Sequence, residues 1–112
     1  MKTIIILTFL LFSFVSFGAT RKIVMVNYEV SGVKQWVPGT IIAKEGETVE
    51  IELRNRAKGP HGFMIPSHDV TEVVGKGKKK KVVVKLKKEG IYPMKCHLHP
   101  AHIGGQLIVL DD

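Results

Sequence analysis

Cysteine is nearly absent from this chain: Cys96 is the only one in 112 residues. No intrachain disulfide is available, so packing must hold the fold together. Acidic side chains are scarce too, 10 against 17 Lys and Arg, which leaves a formal net charge of +7. Aromatic residues make up 7% of the chain, and four of the five Phe (Phe9, Phe12, Phe14 and Phe17) crowd into its first 17 positions. No aromatics interleave with the basic run further on, so the stacking platforms used to bind nucleic acid are missing. No Ser-His-Asp or similar hydrolytic constellation stands out. Disorder is excluded as well, because 45% of the residues are hydrophobic and 24% charged, ordinary globular usage.

The apolar residues are unevenly distributed. Lys2 precedes an apolar run from Ile4 to Phe17 that only Thr8, Ser13 and Ser16 interrupt. The run is shorter than the roughly 18 to 20 apolar residues that span a bilayer, and it reads as a secretory signal peptide over 1–18. Ser16 and Gly18 put small residues three and one before a cut after Gly18. The expectation is a secreted or periplasmic protein that is not an integral membrane protein, its single domain covering 19–112.

Beyond the leader the chain is rich in β-branched residues, 21 Val and Ile from Ile23 onward against five Leu, which favours strands over helices. Strand signals recur between Gly, Pro and charged turns. Ile23 to Val30 and Lys34 to Val37 are the first two. Thr40–Lys44 then reads as a hairpin with Thr48–Arg54 across Glu45-Gly46-Glu47, the second arm alternating Val49, Ile51 and Leu53 with Glu50, Glu52 and Arg54. Phe63–Ile65 is an apolar segment stopped by Pro66. Val82, Val84 and Leu86 alternate with Lys85 and Lys87, and Ile91–Cys96 and Gln106–Leu110 complete the set. The expected fold is all-β, a Greek-key β-sandwich of about seven or eight strands.

The chemistry concentrates in Cys96-His97-Leu98-His99-Pro100-Ala101-His102, where three of the five histidines fall within six residues of one another. An exported protein sits where thiols normally pair, so an unpaired Cys96 needs another explanation: an intermolecular disulfide, an inert buried thiol or a metal ligand. Cys-x-x-His-x-x-His on a tight loop lets a thiolate and imidazoles converge on one ion, and zinc or copper would satisfy them. His61 opens an apolar segment 35 positions before Cys96, and a sandwich can bring the two together. A His-Cys-His set with a weaker axial group is the arrangement of electron-transfer copper sites.

Together with Pro38-Gly39-Thr40-Ile41, Glu45-Gly46-Glu47-Thr48-Val49 and Glu89-Gly90-Ile91-Tyr92, these residues resemble the cupredoxin, or blue-copper, family. The ligand loop is similar to the short loops of plastocyanin-like and amicyanin-like members. The segment His61-Gly62-Phe63-Met64-Ile65-Pro66 also looks like the copper domains of nitrous-oxide reductase and cytochrome oxidase, but one cysteine argues for a mononuclear site. The resemblance implies one copper ion held by His61, Cys96 and His99, with His102 where the family usually has an axial Met. Met64 and Met94 compete for that axial place, although core packing suits Met94 better. It also implies a one-electron carrier in which His99, near the surface, is the electron's exit. The alternatives are a periplasmic copper carrier or buffer without a redox role and, third, a small-molecule redox enzyme with an open coordination position.

Gly62 departs from plastocyanin-like members, which commonly place Asn after the first ligand. His97 and His68 read as surface residues, His68 being the better candidate for a transient copper contact. Eight Lys between Lys76 and Lys88 read either as a docking face for an acidic redox partner or an anionic membrane surface or, preferred on physical grounds, as charge guarding a sheet edge.

Overall fold

The computed structural model describes residues 20–99, 101–102 and 104–111. The expected signal peptide and its cleavage site lie outside them. Nine strands run through the rest: β1 (Thr20–Val30), β2 (Val33–Val37), β3 (Thr40–Lys44), β4 (Thr48–Asn55), β5 (His61–Ile65), β6 (Val70–Val74), β7 (Lys79–Lys85), β8 (Gly90–Met94) and β9 (Gly105–Leu110). They assemble as a four-stranded sheet in the order β2-β1-β4-β7, a three-stranded sheet β3-β9-β8 and the pair β5-β6. The β1–β2 turn is dictated locally by its residues. Ser31 and Gly32 both adopt positive φ, 51° and 77°, between the paired residues Val30 and Val33. That double left-handed conformation matches the right-handed twist of the flanking strands.

The period-2 pattern decides which side of each strand faces inward. Val49, Ile51 and Leu53 of β4 are buried, and Val84 and Leu86 at the β7 end join them. From the second sheet Ile41, Ala43, Leu107 and Val109 meet them, while Phe63, Ile65 and Val74 of β5-β6 close the core at one end. Fully burying each such aliphatic or aromatic side chain is worth about 1.5–3 kcal/mol. Met94 belongs to this core.

Two expectations change. The hairpin of Thr40–Lys44 with Thr48–Arg54 does not form: β3 pairs in parallel with β9, and β4 in parallel with β1 and antiparallel with β7. Glu45-Gly46-Glu47 is instead a corner between sheets. Glu45 N–H donates to the Leu110 carbonyl at 2.9 Å, on the second sheet, and Gly46 N–H to the Leu86 carbonyl at 3.2 Å, beside the first. The additional strand is β6. The chain passes Pro66 through a short 3-10 turn (Pro66–His68), reverses at Asp69 with φ 54°, and returns antiparallel to β5, Ile65 opposite Val70.

β7 ends the four-stranded sheet, and Lys79, Lys80 and Lys81 open it. Lys80 Nζ lies 3.2 Å from a Glu72 carboxylate oxygen and donates to the Val73 carbonyl at 3.0 Å. Lys81 lies 3.8 Å from Glu50. The lysines occupy an outer strand, where charge discourages pairing with another chain. Among the described residues, no helix is long and apolar enough to cross a membrane.

Candidate metal centre

Two segments meet at one end of the sandwich. Met64 and Lys95 exchange backbone hydrogen bonds of 2.8 and 2.9 Å, a single bridge that fastens β5 to the chain just beyond β8. His61 at the start of β5 is thereby brought beside Cys96, 35 positions later. The ligand atoms of His61, Cys96 and His102 all lie within 4.8 Å of one another, and all three residues are buried.

Each donor is oriented by a specific contact. His61 Nε2 donates to the Lys58 carbonyl at 3.0 Å; a carbonyl only accepts, so Nε2 carries the hydrogen and Nδ1 the lone pair. That Nδ1 is fully buried and has no hydrogen-bond partner among the described residues. A buried polar atom without a partner is destabilising unless something else satisfies it. Burial holds the His61 pKa below the ordinary imidazole value, and the neighbouring His99 and Lys34 push the same way against the Lys58 hydrogen bond. The neutral ring, the form that ligates metals, is therefore favoured.

Cys96 Sγ accepts the Gly62 N–H at 3.2 Å, which fixes the direction in which the sulfur points. The Gly62 carbonyl in turn accepts the Trp36 indole N–H at 2.9 Å, and Trp36 packs edge-on against Phe63. A Cβ on Gly62 would stand 2.5 Å from His97 Nδ1, so the departure from Asn at this position has a steric reason. The His97 ring covers the backbone that donates to the thiol, while His97 itself stays exposed.

His102 Nε2 sits 2.6 Å from Asn27 Oδ1. Asn27 Nδ2 donates to Asn55 Oδ1 at 3.2 Å, and Asn55 Nδ2 to the Gly59 and Val74 carbonyls at 2.8 and 2.9 Å. His99 stands differently. Its ring lies 4.5 Å from the His61 ring, centroid to centroid, and its Nε2 donates to the Pro60 carbonyl at 3.0 Å. It is half-exposed and is not among the three clustered donors.

His68 is not the surface residue expected from sequence. It is buried, its Nδ1 2.7 Å from Ser67 Oγ and its Nε2 accepting the Lys87 backbone N–H at 3.2 Å. The ring also stands edge-on to Tyr92, so it is a strut and not an outside contact for copper. Asn27 and Asn55 were missed from sequence. Both continue the inward register of their strands, after Met25 and Leu53 respectively, and a polar residue on a buried face was the available signal.

The clustered donors are two imidazoles and a thiol, with the orphaned Nδ1 of His61 the atom most in need of a partner. That set fits one soft, redox-active ion such as copper. A cupredoxin-like domain model matches residues 3–109. The chain belongs to that family. Its cupredoxin fold is shared with a copper nitrite reductase from Nitrosomonas europaea, at a TM-score of 0.73 and 18% identity over 84% of this chain and 42% of that one. A multicopper oxidase is similar at 0.70 and 21% identity, over 84% of this chain and 40% of the oxidase. A blue copper oxidase from Nitrosomonas europaea gives 0.67 and 16%, with 84% and 40% covered. The chain thus spans well under half the length of these enzymes. No curated protein sequence matches it.

Proposed function

We propose that this cupredoxin is an exported mononuclear copper protein that carries single electrons. The observation that carries the reading is the buried, unpartnered Nδ1 of His61, on a residue whose ligand atom lies within 4.8 Å of those of Cys96 and His102. When bound, copper supplies a one-electron couple that a soft thiolate and neutral imidazoles support in both oxidation states. The chain's own part is to hold the donors before the ion arrives. Gly62 N–H holds the Cys96 sulfur in place, the Met64–Lys95 bridge fixes the two segments, and burial keeps water from Cys96 and His102.

The ligand set we infer is His61, Cys96, His99 and His102. His99 contributes as the half-exposed imidazole, its Nε2 hydrogen committed to Pro60, and it is the group a redox partner reaches. The apolar run from Ile4 to Phe17 supports export. The similar nitrite reductase and oxidases are enzymes by name, and this chain matches only 40–42% of their length. A copper carrier or buffer is the second reading, favoured by the exposed His97 beside Cys96; quick loss of copper to a modest chelator would support it.

The absorption spectrum of the copper-loaded protein tests the main reading. An intense thiolate-to-copper band is expected in the parent and none in Cys96→Ser, the fold remaining intact. Because an imidazole is a stronger, harder donor than the usual thioether, the band should be green-to-red in place of blue. A parent that binds only zinc, with no visible band, overturns electron transfer.

A further inference from the structure

Three imidazole hydrogens in this centre end on a single polar frame, and two asparagines build it. His61 Nε2 donates to the Lys58 carbonyl, His99 Nε2 to the Pro60 carbonyl, and His102 Nε2 reaches Asn27 Oδ1 at 2.6 Å. Lys58 and Pro60 sit on the loop between β4 and β5, and Asn55 holds that loop. Its Oδ1 accepts the Ala57 N–H at 3.0 Å and its Nδ2 donates to the Gly59 carbonyl at 2.8 Å. The same side chain ties the loop to β6 through the Val74 carbonyl and takes the Asn27 amide N–H at 3.2 Å. Asn27 and Asn55 face each other as register partners on β1 and β4, at 0% and 1% exposure.

Two buried amides are destabilising unless their hydrogen bonds are made, and here the bonds lead to the candidate ligands. Orientation of the amides is not arbitrary. Asn55 Nδ2 must donate, because both its backbone partners are carbonyls, so its Oδ1 faces Asn27. Asn27 Nδ2 then donates to that oxygen, which turns Asn27 Oδ1 toward His102. An amide oxygen only accepts, hence His102 carries its hydrogen on Nε2. The tautomer of a ring near the C-terminus is thus set by a chain of contacts that begins at the β4–β5 loop, in His61's own neighbourhood.

We propose that Asn27 and Asn55 are positioning residues for the metal centre: they lock His102 in the Nε2–H tautomer and couple it to the loop that orients His61 and His99. This rests on the copper reading above. It differs from a purely structural role because it fixes that Nε2 carries a hydrogen in all three rings. Hydrogen-bond partners of ligating histidines typically change metal affinity 10–100-fold when removed.

The first measurement uses the unaltered, metal-free protein. Long-range proton–nitrogen NMR should show the His61 and His102 rings as Nε2–H tautomers, with the His102 ring proton protected from exchange. A Nδ1–H tautomer at His102 overturns the proposal, whatever copper does. The second uses Asn27→Leu, close in volume but without an acceptor, and Asn27→Asp, which keeps one. Cu(I) affinity, by competition with a chelator of known strength, should fall about 10–100-fold in the leucine variant; the aspartate variant, which returns the acceptor for His102 but not the donor to Asn55 Oδ1, should lie between that and the parent. A leucine variant with the parent's affinity and thiolate-to-copper spectrum sinks the idea. Should Asn27→Leu fail to fold, the tautomer measurement decides alone. Absence of any thiolate band in the parent would instead remove the copper reading and leave the tautomer result standing.

Discussion

His61 and His68 are both buried histidines, seven positions apart, and burial holds the pKa of both below the ordinary value. They differ in what their nitrogens meet. His68 uses both, one on Ser67 Oγ and one on the Lys87 amide, and its ring packs on Tyr92. His61 uses one, on the Lys58 carbonyl, and leaves Nδ1 with no partner among the described residues. A satisfied buried imidazole fastens elements together; here it joins the turn after β5 to the chain after β7. An unsatisfied one is unfavourable in the folded chain by about 1–3 kcal/mol, and proteins keep such an atom where a ligand completes it. Two histidines alike in burial and pKa direction are separated by counting hydrogen bonds.

The sharpest way to break this comparison is to remove each ring. His61→Ala should lower Cu(I) affinity by more than the roughly 100-fold typical of outer hydrogen-bond partners, its cost in stability coming from the cavity and the lost Lys58 hydrogen bond and not from Nδ1. His68→Gln should leave copper affinity unchanged while lowering the melting temperature. Chelator competition and thermal melts on both variants check it. Equal copper affinity in His61→Ala and the parent would end the distinction.

A smaller effect comes from pH. The His68 pKa is lowered chiefly by burial, then by the Lys87 charge, while Asp69 opposes it; Ser67 and Tyr92 complete the surroundings as neutral groups. With its folded pKa below the unfolded value near 6.5, the unfolded chain binds more protons across the interval between the two. The neutral ring's contribution is therefore complete above the unfolded value and is lost as pH falls toward the folded one. The metal-free protein should melt at lower temperature as pH drops below about 6.5, and His68→Gln should flatten the slope. An identical slope in that variant would show that His68 is not its source.

Legibility from sequence tracked the range of the interactions. Alternation in β4 and β7 named Val49, Ile51, Leu53, Val84 and Leu86 as core, because a strand's inward face repeats every two residues whatever lies across from it. The partner strand is not written in that pattern. Glu45-Gly46-Glu47 looks the same as a hairpin turn or as a corner, and only its bonds to Leu110 and Leu86, one on each side of the sandwich, tell them apart. At the centre, residue types and spacing drew attention to His61, Cys96, His99 and His102. The hydrogen bond from His102 to Asn27 spans 75 positions, and nothing local announces it. His68 was misplaced for a related reason: Pro66 suggested a surface turn, but Tyr92 of β8 and the Lys87 backbone close on the ring.

The smallest expected effect concerns His97, an exposed histidine that stands outside the comparison and sharpens it. Its ring lies over Gly62, and a Cβ there would come 2.5 Å from Nδ1 and 2.6 Å from Cε1. Gly62→Ala must therefore move His97. The ring is a movable side chain with solvent beside it, and the backbone at Gly62 has no positive φ to strain, so the fold should persist. The Gly62 amide still donates to Cys96, and the donor set is untouched. The thiolate-to-copper band should keep its position and intensity, while copper leaves for a chelator faster because the cover over the Gly62 backbone beside Cys96 has shifted. Stopped-flow transfer to a chelator, read beside the absorption spectrum, separates the two. A band that moves as far as it does on loss of a ligand would make His97 or the Gly62 backbone part of the centre, and exposure would no longer separate it from His61.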